Sequence, residues 1–120
     1  MTVDNLMDRK VFTVAGDTLN EDKYAYKIKG ALLGAGYKVH CVGKELTSLD
    51  EVPEEKIEVL DLCINPHKGL KLISECRKKI EAVLIQPGAG SDEIKALLDE
   101  KHIPYVEGCA LKGLQARGLL

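Results

Sequence analysis

The chain has 120 residues, 45% of them hydrophobic and 30% charged, with a formal net charge of −2. This is the length of one domain, so a single fold over residues 1–120 is expected. The charge balance offers no basic excess for non-specific nucleic-acid binding, and no apolar run approaches the roughly 20 residues of a membrane span.

Lys10–Ala15 is an apolar run ended by Gly16, which predicts a first strand. Asp22–Ala35 predicts a helix, with Tyr26, Ile28, Ala31, Leu32 and Ala35 on one face, broken by Gly34 and Gly36. Tyr37–Val42 alternates as a second strand. An irregular crossing follows over Gly43–Glu58, with a short turn of helix near Leu49–Val52. Val59–Ile64 is a third strand. Pro66 then suits the start of a helix that Gly69–Lys79 continues. Ala82–Ile85 is a fourth strand, apolar throughout as in a parallel sheet covered on both faces. Ser91 is an N-cap, with Asp92 and Glu93 in the first turn of a helix ending near Lys101 and His102. Pro104–Glu107 is a fifth strand, and Ala110–Gly118 a last short helix.

Five strand-then-helix units predict an α/β fold: a Rossmann-like, doubly wound, five-stranded parallel sheet in a three-layer αβα arrangement. Ligands of such sheets bind beyond the carboxyl ends of the strands. That rule selects the loops Gly16–Tyr24, Gly43–Lys44, Asn65–Lys68, Gln86–Gly90 and Gly108–Cys109.

In the first of these, Gly16 lets a phosphate approach the backbone, Thr18 offers a hydroxyl, and Lys23 and Lys27 supply charge at the helix start. The same residues also make a plain tight turn before a solvated helix. No G-x-G-x-x-G is present. Gly43–Lys44 stands where a dinucleotide-binding sheet carries an acid for the ribose, and a lysine there favours an added phosphate; a surface Gly-Lys turn is the alternative. Asn65, Pro66 and His67 offer an amide, a fixed backbone and an imidazole, although His67 has no evident partner and reads equally as a surface histidine. Gln86 and Gly88 begin a loop that either approaches a ligand or simply caps the next helix. Cys41, Cys63, Cys76 and Cys109 form no CxxC pair and no tight Cys/His cluster. Free thiols in a reducing cytoplasm are therefore expected, with Cys41 and Cys63 filling core volume and Cys109 facing the loops. The polar N-terminus, with Asp4, Asp8 and Arg9, does not read as a signal peptide.

Taken together, these loops resemble the small stand-alone coenzyme A-binding domains related to the first domain of the succinyl-CoA synthetase alpha subunit. The resemblance runs from about Leu6 to Leu111. Within Val14–Ile28, the residues Gly16, Asn20, Lys23, Tyr24, Tyr26 and Lys27 match that family's Gly-Ala-Ser loop and Lys-Tyr-x-Tyr-Lys, with Thr18 replacing the usual serine. Gly36-Tyr37-Lys38-Val39, Ser48-Leu49, Gln86-x-Gly88 and Cys109 match further motifs. Asp17 replaces a small residue, Gly43-Lys44 replaces Asn-Pro, the fourth strand lacks its frequent aromatic, and Glu107-Gly108 replaces an Asp followed by a basic residue.

The resemblance implies coenzyme A, or an acyl-CoA, lying across the carboxyl edge of the sheet. Its diphosphate would sit over Gly16, Asp17 and Thr18 near Lys23, Tyr24 and Lys27. Its adenosine would lie among Gly43, Lys44, Asn65, Pro66 and His67, and the remainder beside Gln86, Gly88 and Cys109. No catalytic constellation is legible, so the expected role is a non-catalytic nucleotide-binding protein, with a homodimer plausible. A minimal NAD(P)-dependent oxidoreductase or nucleotide-using transferase is one alternative. An interaction domain that has lost its ligand is another.

Overall fold

A computed structural model describes residues 1–120. The chain runs α1 (Val3–Leu6), β1 (Val11–Gly16), α2 (Tyr24–Gly34), β2 (Lys38–Gly43), a 3-10 turn (Leu49–Glu51), β3 (Lys56–Ile57), β4 (Val59–Leu62), α3 (Pro66–Glu75), β5 (Lys79–Ile80), β6 (Val83–Ile85), α4 (Asp92–Glu100), β7 (Tyr105–Glu107) and α5 (Ala110–Ala116). Five strands form one all-parallel sheet in the order β2-β1-β4-β6-β7. The expected three-layer α/β architecture is what forms.

The strands at the centre are apolar because both of their faces are covered. Phe12, Val14, Val59 and Leu84 point to a layer with Ile28 and Leu32 of α2 and Leu114 of α5. Ala15, Leu60, Leu62, Val83 and Ile85 point the other way, toward Ile73 of α3 and Ile94 and Leu98 of α4. This alternation places successive residues of each strand in opposite cores. One residue breaks the pattern: Asp61, in the middle of β4, is fully buried between Val14 and Leu84 of the flanking strands.

Four local differences from the sequence expectation have visible causes. Helix α2 starts at Tyr24 rather than Asp22, because Asn20 closes a turn first. Its side chain accepts from the Asp22 amide at 3.0 Å and its carbonyl from the Lys23 amide at 3.0 Å. Tyr26, assigned to the apolar face, is exposed, and Ala25 takes the buried position beside Ile28 and Leu32. Helix α3 stops at Glu75, not Lys79. The carboxylate of Asp50 captures the Arg77 and Lys78 amides at 2.9 and 3.3 Å, and Lys79–Ile80 then pairs with Lys56–Ile57 as a small second sheet. Finally, the N-terminus forms a short helix with a Thr2–Asn5 capping box, and its Leu6 and Met7 complete the core against α5.

Candidate functional site

All five main strands end on one edge. From β1 the chain passes outward to β2, whereas from β4 it passes to β6 on the other side. The topological switch therefore falls between β1 and β4, the place where open α/β sheets hold ligands. A cleft of about 570 Å³ opens there, walled by Asp17, Lys23, Tyr24 and Ala25 on one side and by Cys63, Asn65, Pro66 and Lys68 on the other. Lys44, Pro87, Gly88 and Ala89 close its ends. A second groove of about 290 Å³ adjoins it over Gly16, Gly43 and Lys44. A third, of about 510 Å³, continues past Gln86 and Gly88 to Lys95 and Gly108.

Gly16 lets the sheet and helix meet. A Cβ on it would fall 2.4 Å from the Cys63 carbonyl oxygen and 2.7 Å from the Ala25 Cβ. With only hydrogen at this position, the start of α2 lies directly against the end of β4, beside the cleft.

The donors facing the cleft differ from the expected ones. The Thr18 amide bonds the Gly16 carbonyl at 3.2 Å, and the Leu19 amide bonds the Asp17 carboxylate at 3.3 Å, so the turn satisfies both internally. Helix α2 is the open group instead. Its N-cap is Lys23, which makes no capping hydrogen bond, and no acid stands in its first turn. The first bond into the helix runs from the Lys27 amide to the Lys23 carbonyl, so the amides of Tyr24, Ala25 and Tyr26 are its orphan donors. By contrast, α3 is capped by Asn65, and α4 by Ser91 with Asp92 and Glu93 behind it. A helix start with a lysine where an acid or a capping hydroxyl is favoured suits an external anion.

The other predicted residues distribute as follows. The Thr18 hydroxyl is buried and donates to Glu45, which also takes the Lys29 ammonium at 2.9 Å; these two contacts hold the Glu45 carboxyl below its usual range. Tyr24 is exposed on the cleft wall, and the Lys27 ammonium packs over its ring, 5.4 Å from the centroid, outside the cleft lining. The Asn65 side chain accepts from the His67 amide at 2.9 Å, while the His67 imidazole is exposed and lines none of the three cavities. Gln86 is buried, and its Oε1 accepts from the Ala110 amide at 2.8 Å, tying the end of β6 to the start of α5. Cys109, the N-cap of α5, is half-buried behind this contact.

Sequence reasoning included Lys68, which lines both the cleft and the adjoining groove, only as the end of the Asn65–Lys68 loop and gave it no role, and it passed over Lys71 in the groove. The available signal was their placement one turn apart directly after the Asn65-Pro66 helix start.

Cys63 and Cys41 are held in the thiol form by burial. Burial pushes Cys63 up to about 11, with Asp61 and Cys109 adding to the shift, and burial likewise pushes Cys41 up to about 11. Asp61, two residues below Cys63 on the same face of β4, has no hydrogen-bond partner for either carboxylate oxygen, and burial raises it to about 8. No group of three His, Cys, Asp or Glu side chains is arranged to hold a metal ion. No helix is long and apolar enough to cross a membrane.

Comparison with known proteins bears on this edge. Residues 10–115 match the family described as CoA binding domain. No curated protein sequence matches the chain. Among solved structures, a conserved hypothetical protein from Pyrococcus furiosus superposes with a TM-score of 0.74 at 24% identity, covering 86% of this chain and 97% of its own. A hypothetical protein from Pyrococcus horikoshii OT3 gives 0.77 at 20% identity, over 97% and 92%. A protein from Thermus thermophilus gives 0.69 at 21%, over 96% and 93%. At these identities the likenesses establish the shared fold.

Proposed function

Because the chain belongs to the CoA-binding domain family, we propose that it binds coenzyme A or an acyl-CoA as a single non-catalytic module, with the nucleotide along the carboxyl edge of the sheet. The observation that carries this reading is the uncapped start of α2. Lys23, Tyr24 and Ala25 of this uncapped first turn line the cleft between β1 and β4, where a diphosphate would complete the missing cap. The adenosine then lies toward Lys44, Asn65 and Pro66, and the pantetheine arm toward Gly88 and the groove beyond it. The raised thiol pKa values of Cys63 and Cys41 and the partnerless imidazole of His67 favour binding over catalysis. Four free cysteines fit a reducing compartment such as the cytoplasm.

An NAD(P)-using enzyme is less well supported, because Lys44 stands where an acid would hold the ribose. One observation favours a domain that has lost its ligand: Asp17 places a carboxylate on the wall of the cleft and closes the turn onto Leu19. Titration calorimetry with coenzyme A, NAD and ATP separates these readings. Tighter binding of coenzyme A than of the other two supports the proposal. Preference for NAD supports the enzyme, and no heat with any of the three supports the lost-ligand domain.

A further inference from the structure

We propose that the groove beside the cleft is a seat for a phosphomonoester, which makes the protein select the 3′-phosphorylated form of its nucleotide; this rests on the coenzyme A reading above. The groove has only two apolar residues among the ten that line it. Its lining brings Lys44, from the end of β2, together with Lys68 and Lys71 of α3, which stand three residues apart and so share one helix face. Gly16 and Gly43 belong to the same lining. Gly43 has φ +128°, and a Cβ there would meet the Gly16 carbonyl at 2.9 Å, so this part of the groove is bare backbone.

None of the three lysines forms an ion pair, although four other lysines of the chain do. Three unpaired ammonium groups around one small groove repel one another, in a chain that holds more acids than bases. The acids on the lining are Asp17, bonded to the Leu19 amide, and Glu75. A phosphomonoester carries nearly two negative charges and three acceptor oxygens at neutral pH, which matches the lysine triad. The cleft and the groove share Asp17, Lys44, Ile64 and Lys68. A nucleotide with its diphosphate at the start of α2 therefore has a continuous path along which to lay a second phosphate group.

The test is titration calorimetry of the wild type and of the variant Lys71→Gln, whose side chain lines the groove but not the cleft, with coenzyme A and with dephospho-coenzyme A, thermal melting verifying that the variant folds. The wild type is expected to bind coenzyme A at least about tenfold tighter than the dephospho form. The Lys71→Gln variant should lose most of that preference while holding the dephospho form within about twofold of the wild type. Equal wild-type affinity for the two ligands, or a variant that keeps the preference, overturns the phosphomonoester seat and leaves the coenzyme A reading standing. A wild type that binds neither ligand overturns both.

Discussion

Replacing Asp61 by Asn should make the protein more stable at neutral pH, by an amount set by the burial of this side chain. Asp61 is completely buried on the central part of the sheet, and neither of its oxygens has a partner. Its desolvated carboxyl titrates at about 8, against an ordinary value of 3.8. The folded protein therefore holds the proton while the unfolded chain releases it. Stability from this group is complete below about pH 4, falls as pH rises toward 8, and is constant above that, once both states are ionised. At about 1.4 kcal/mol per pH unit, the cost reaches about 4 kcal/mol at pH 7. Asn mimics the protonated acid in shape but does not titrate. Urea denaturation of both proteins between pH 4.5 and 9 should give curves that nearly coincide at the acid end and separate in favour of Asn as pH rises, with the gap levelling off above pH 8. Other titrating groups are common to both proteins and cancel in the difference. Parallel stability profiles across this range would show that Asp61 is ionised in the folded state and would refute the reasoning.

Gly16→Ala should destabilise the fold by about 1–3 kcal/mol, measured by chemical denaturation, because its Cβ would press on the Cys63 carbonyl at 2.4 Å and backbone must shift to admit it. Gln86→Ala removes the acceptor of the buried Ala110 amide, and an unfolding titration should read a loss of about 1–3 kcal/mol; an unchanged midpoint would mean the amide finds another partner. Lys23→Gln should weaken coenzyme A binding about tenfold in calorimetry and flatten its salt dependence, since one charge-assisted contact is lost at the start of α2. Asp17→Ala should tighten coenzyme A binding by removing a like charge from the cleft wall, and weaker binding would instead make Asp17 a positioning residue.

The central strands β1, β4 and β6 were legible because each is a largely apolar run bounded by glycine, proline or a charged loop, and burial on both faces leaves little else for such runs to do; the edge strand β2 was legible from its alternation instead. The start of α4 was equally clear, since Ser91 caps it by accepting from the Ile94 amide, a bond local in sequence. The end of α3 was not. Leu70, Ile73 and Cys76 keep helical phase, but the group that ends the helix, Asp50, is 27 residues away from Arg77. Helix α1 escaped notice because it has only four residues and depends on docking against α5. On the ligand edge, the loops could be named from strand ends alone. Which amides face outward could not be, because that depends on the Asp17 side chain folding back onto Leu19 rather than toward solvent. That Lys68 and Lys71 of α3 share a groove with Lys44 follows from the sheet order, which the sequence does not spell out residue by residue.

The most direct test is an amide-resolved NMR titration of the protein with coenzyme A. Saturable shifts concentrated at Tyr24, Ala25 and Tyr26, with Thr18 and Leu19 moving less, are the predicted result. Saturable binding that leaves the first turn of α2 unmoved would contradict the account.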